Sequence, residues 1–90
     1  MRFEWDERKN QSNIRKHGIS FEEAKAVLGQ SACSYFDAGH SLSEDRYVEI
    51  GFAQGRLLTI VYVQLGDDVV RIISARKASF TEEWRYERGY

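Results

Sequence analysis

The most chemically loaded stretch of this sequence is Arg71-Ile72-Ile73-Ser74-Ala75-Arg76-Lys77-Ala78, where three cations lie on or just after an apolar run. Arginine keeps its charge at any working pH and can grip a phosphate through two parallel hydrogen bonds. Strict alternation along a strand puts Arg71 and Lys77 on one face with Ile73, and Arg76 on the other with Ile72. A bulge near Ser74 or Ala75 would reset that register. The same cations also fit a strand end that splays into solvent or pairs with Glu82 and Glu83.

A second positive spot is Asn13-Ile14-Arg15-Lys16-His17-Gly18. Cations are favoured at a helix C-terminus by the helix dipole, so capping alone explains Lys16 and His17. Imidazole is also the side chain whose ordinary pKa lies nearest neutrality, which makes His17 a candidate for proton transfer. His40 falls in a polar loop and is the weaker candidate. Tyr86 follows Glu82 by four residues, so the two share a side of a C-terminal helix. A tyrosine there can stack on a base or hydrogen-bond a phosphate, or it can be a core residue with a wet hydroxyl. Phe80 and Trp84 form another stripe, expected to pack on the sheet. Cys33, His17 and His40 lack metal-ligand spacing, so neither metal nor cofactor is expected. Phosphate-loop and nucleophile-elbow patterns are missing too.

The elements that must position these residues read clearly. Phe3 and Trp5 alternate with polar neighbours as a short strand. Asp6 caps a polar helix over about Glu7 to His17, which Gly18 stops. Ser20-Phe21-Glu22-Glu23 is a capping box opening a second helix with Phe21, Ala24 and Leu28 on one face, ended by Gly29. The period then changes to two. Ser34 to Asp37 is a short strand, and Val48, Ile50 and Phe52 line the buried face of another. Arg56 to Val63 is apolar on both faces, as a central strand would be. Val69 to Ala75 is the next strand, and Ser79-Phe80-Thr81-Glu82 is a capping box for a terminal helix. Short turns between the last three strands favour antiparallel pairing. The expected fold is α+β: β-α-α, an antiparallel meander and a C-terminal helix.

Ninety residues suffice for one domain over 1–90. Hydrophobic residues at 42% supply one modest core, and charged residues at 30% a well-solvated surface. No apolar run approaches the roughly 20 residues of a membrane span, so no membrane partner is expected. A lone Cys33 and no apolar leader fit a reducing, cytoplasmic setting. With 13 Lys+Arg against 14 Asp+Glu the net charge is −1, unlike most nucleic-acid binders. Any RNA contact must therefore come from a local cationic cluster.

The chain resembles the BrnT family, the toxin half of bacterial type II toxin–antitoxin pairs. The resemblance rests on Phe3-Glu4-Trp5-Asp6, on Asn13 through Ala24, and on Arg71 through Ala78, and it covers nearly the whole sequence. It implies a RelE-like fold, a metal-independent endoribonuclease acting by 2′-hydroxyl attack to inhibit translation and growth, and neutralisation by a BrnA-like antitoxin. A heterotetramer is expected by that analogy, with DNA contacted only through the antitoxin. For such a reaction on this sequence, Arg71 and Arg76 are the candidates to hold the phosphate. His17 or Glu82 transfers protons, Tyr86 positions a base, and Lys77, Lys16 and Arg56 bind RNA. Two other classes stay open: a non-catalytic toxin acting on a protein target such as gyrase, and a harmless interaction module.

Overall fold

A computed structural model of the chain describes residues 1–30, 33–40 and 44–88; the side chain of His40 and residues 41–43 lie outside these. The elements run β1 (Arg2–Glu4), α1 (Glu7–His17), α2 (Phe21–Ala24), β2 (Ser34–Phe36), a 3-10 turn (Ala38–His40), β3 (Arg46–Ala53), β4 (Arg56–Leu65), β5 (Val69–Lys77) and α3 (Phe80–Arg88). One five-stranded sheet has the order β1-β5-β4-β3-β2. β2 to β5 pair antiparallel in sequence order, and β1 joins β5 in parallel. The apolar stretch from Arg56 is the central strand, as its two-sided hydrophobicity implies.

Local chemistry sets the helix ends. The Asp6 carboxylate accepts from the Arg8 backbone N–H at 2.8 Å, and Gly18 closes α1 with φ 71°, a left-handed conformation that suits glycine. The capping box at Ser20 forms only by half: Ser20 Oγ accepts from the Glu23 N–H at 3.0 Å, while the Glu23 carboxylate pairs with Arg56 instead. α2 is also shorter than the apolar spacing suggests. After Ala24 the chain continues as i→i−3 turns, with Lys25, Ala26 and Val27 bonding back to Glu22, Glu23 and Ala24.

The two faces of the sheet differ. α1 and α2 cover one face, where Ile19, Phe21, Ala24 and Val27 pack on Leu58, Ile60, Val70, Ile72 and Ala75. The other face carries a smaller cluster of Cys33, Val48 and Ile50, with Tyr35, Leu57, Val61 and Tyr86 against it. Among the described residues α3 alone lies on this second, largely open face. Phe80 and Trp84 do not pack on the sheet: Phe80 is 83% exposed and Trp84 is 42% exposed. Glu82 and Tyr86 take the inward side of α3 instead. Phe52, expected in the core, is half exposed, whereas Glu49 is buried.

Candidate active site on the open face of the sheet

A bulge in β5 decides which cations meet. Val61 pairs with Ser74 and Tyr62 with Ile72, so Ile73 is an extra residue without a cross-strand partner on β4. The buried residues on either side of it, Ile72 and Ala75, therefore both face the helices. Arg71, Ser74 and Arg76 stand opposite Val63, Val61 and Thr59 and share the open face. Strict alternation separates Arg71 from Arg76; the bulge, one residue before the expected place, brings them together. Lys77 stands opposite Leu58 and belongs to the helix-covered face.

Asn13 holds this strand from its edge. β1 ends opposite Arg71, and no described strand continues along that side of β5. The Asn13 amide takes the place of one: its Nδ2 donates to the Ala75 carbonyl at 2.7 Å, and its Oδ1 accepts from the Ala75 N–H at 3.2 Å. Nδ2 also donates to the Ile19 carbonyl at 2.9 Å, tying in the turn after α1. Asn10 likewise fastens Phe21 through its backbone N–H at 2.8 Å. These two asparagines, the buried residues of an otherwise polar α1, dock the helix and protect the strand edge.

The side chain of Arg76 is fixed from the opposite side. Its Nη1 and Nη2 donate to the two Glu82 carboxylate oxygens at 2.5 and 2.7 Å, a bidentate pair. Glu82 completes the second capping box, accepting from the Ser79 backbone N–H at 2.8 Å and returning its own N–H to Ser79 Oγ at 3.2 Å. Thr59 Oγ1, fully buried, donates to the same carboxylate at 3.0 Å. Burial by itself raises the Glu82 pKa, but bonds from Arg76, Ser79 and Thr59 outweigh it and bring the carboxyl down to about 2. The Glu82 hydrogen bond in turn raises the Arg76 pKa. Glu82 is thus an ionised anchor with its oxygens engaged, poorly suited to giving or taking a proton near neutrality.

The other sequence-derived candidates divide. Arg71 is on the open face and pairs with Glu4 at 3.2 Å, both half exposed. The partners of Arg71 and Arg76, Val63 and Thr59, are four positions apart on β4, roughly 13 Å along the strand. Tyr86 meets Phe52 edge-to-face at 5.6 Å, and both line an open cleft of about 320 Å³ with Leu57, Glu83 and Glu87. His17 and Lys16 are exposed at the end of α1, one turn beyond the Asn13 anchor. Arg56 is on the helix-covered side in its pair with Glu23. Among the described residues no three His, Cys, Asp or Glu side chains are grouped to hold a metal ion.

Three residues of this face were not singled out from sequence. Thr59 sits in an apolar strand and carries no local signal, and Tyr35 is likewise silent. Arg85 was legible: it is three residues after Glu82 and so shares its side of α3.

The chain is thus an α+β protein with two carboxylate-paired arginines on the uncovered face of its sheet. The chain belongs to the BrnT family: the model for the ribonuclease toxin BrnT of type II toxin–antitoxin systems matches residues 5–82. It is similar to the crystal structure of the Brucella abortus ribonuclease toxin BrnT, at 28% identity and a TM-score of 0.65, over 88% of this chain and 97% of that one. No curated protein matches it. Membership in a family of type II toxins implies an antitoxin partner and an RNA substrate in general terms. Among the described residues no helix is long and apolar enough to cross a membrane.

Proposed function

We propose that this chain is a cytoplasmic endoribonuclease that cuts RNA without a metal ion and thereby arrests translation and growth. The 2′-oxygen, losing its proton, attacks the adjacent phosphorus; the bond to the 5′-oxygen breaks and that oxygen takes up a proton. A 2′,3′-cyclic phosphate and a 5′-hydroxyl result. The observation that carries this reading is Arg76, whose guanidinium is fixed on the open face by Glu82 and through Ala75 by Asn13. A preorganised cation of this kind stabilises charge as it builds on phosphate oxygens, usually the largest single catalytic contribution.

In this reading Arg71 binds a neighbouring phosphate and Tyr86 positions a base in the cleft with Phe52. Lys77 and Lys16 bind the backbone as it leaves the face, and Arg56, engaged with Glu23, contributes at the margin. Proton transfer is assigned to His17. This requires the RNA to pass the edge of β5 where α1 ends, the edge that Asn13 occupies. A BrnA-like antitoxin, presenting acidic and apolar groups, covers the face in a heterotetramer, and DNA is reached only through it.

Product ends test the chemistry. Purified protein incubated with RNA and chelator should leave cyclic phosphate and 5′-hydroxyl termini. Phosphate on the 5′ side, or cleavage that chelator stops, contradicts the mechanism. The exposed Phe80 and Trp84 favour a second reading, a toxin that binds a protein target; it predicts growth arrest with RNA intact.

A further inference from the structure

The two arginines that the sequence places on the phosphate are both neutralised in place, Arg71 by Glu4 and Arg76 by Glu82. A third arginine of the open face is not. Arg85 lies between Glu82 and Tyr86 on the inward side of α3, and its guanidinium carbon is 4.0 Å from the centroid of the Tyr35 ring. Among the described residues it forms neither a hydrogen bond nor an ion pair. Tyr35 comes from β2, opposite Val48, so its ring stands on the same face as Arg76 and Thr59.

A guanidinium over a ring face is held by the ring's negative face and still has five N–H donors to offer. The ring also removes much of the freedom the side chain would lose on binding, so the donors are preset for an anion with oxygens in a plane. The Tyr35 phenol lies in the field of Glu82, Arg85 and Arg76. Burial, the largest influence, raises its pKa, so it keeps its O–H as a donor. A planar cation, a phenolic donor and the Arg76–Glu82 pair thus border one patch of the open face.

We propose that Arg85, held on Tyr35, is a phosphodiester-binding residue of this face and supplies the uncompensated positive charge that seats the RNA backbone beside Arg76. The inference rests on the ribonuclease reading and extends it, naming the group that binds where Arg76 and Arg71 are already paired. It also accounts for a protein of net charge −1 that acts on a polyanion: one unpaired, oriented arginine replaces general basicity.

The test separates binding from cleavage. A short fluorescent 2′-O-methyl RNA, which lacks the attacking hydroxyl, is titrated with wild type, Arg85→Ala, Arg85→Lys and Tyr35→Phe over a range of salt concentrations. Unmodified RNA is cut in parallel, and circular dichroism checks each fold. Arg85→Ala should weaken binding about tenfold, the effect of one charge-assisted hydrogen bond. It should also flatten the dependence of log K on log salt by about 0.7, the signature of one lost phosphate contact on a single strand. Arg85→Lys should restore the salt slope but only part of the affinity. Tyr35→Phe, which keeps the ring under the guanidinium, should lose less than Arg85→Ala. If folded Arg85→Ala binds with wild-type affinity and slope while wild type cuts RNA, the proposal is overturned and the ribonuclease reading stands. If wild type neither binds nor cuts RNA, both are overturned.

Discussion

Replacing Glu82 by glutamine tests the most consequential contact of this fold. The carboxyl sits at about 2 against an ordinary 4.5, and at 1.36 kcal/mol per pKa unit the difference is about 3 kcal/mol of stabilisation. The Arg76 side chain is 39% exposed, so solvent screens part of this, and glutamine keeps the bond from Ser79. Glu82→Gln should therefore cost about 2 kcal/mol at pH 7, a fall in Tm of about 8–16 °C for a domain of this size. The pH dependence carries the sign. A carboxyl whose folded pKa is depressed stabilises fully above its unfolded value near 4.5, and the benefit drains away as the pH falls toward 2. Wild type and variant should differ at pH 7 and converge near pH 2. Urea unfolding followed by Trp5 and Trp84 fluorescence at several pH values reads both. Equal stability at pH 7, or a gap of constant size down to pH 2, would refute the role given to Glu82.

Asn13→Ala strips three hydrogen bonds and leaves the Ala75 N–H and the Ala75 and Ile19 carbonyls without this partner. Chemical denaturation should show a loss of about 2–3 kcal/mol. The aromatic residues divide sharply by burial. Phe21→Ala, fully buried, should cost about 3–5 kcal/mol, while Phe80→Ala, 83% exposed, should shift stability by under about 0.5 kcal/mol. Similar losses for the two would contradict the placement of α3.

Much of the fold was legible because its signals are local. Asp6, Gly18 and the Ser79 box act within a few residues of themselves, and the change of period from helical to two marks where the sheet begins. The parallel pairing of β1 with β5 joins residues at opposite ends of the chain, and no short-range pattern encodes it. α3 misled by its own stripe: Phe80 and Trp84 repeat at helical spacing, yet the bidentate bond from Arg76 and the bond from Thr59 hold Glu82 inward and turn the aromatics out. The candidate site was half visible. Arg71 and Arg76 stood out by charge, but uniting them needed a bulge at Ile73, and the strand just past it is held by the amide of Asn13, some sixty residues away. Tyr35 and Thr59 are ordinary strand residues until β2 and β4 bring them to Arg76.

Metal-free ribonuclease activity at Arg76 is measured most directly as RNA cleavage by purified protein in chelator, wild type beside Arg76→Ala and His17→Ala, with folding checked by circular dichroism. Catalysis by the fixed Arg76 guanidinium predicts cleavage by wild type, a loss of at least about 100-fold on Arg76→Ala as for removal of one preorganised donor, and a slower reaction on His17→Ala. Undiminished cleavage by a folded Arg76→Ala would contradict it.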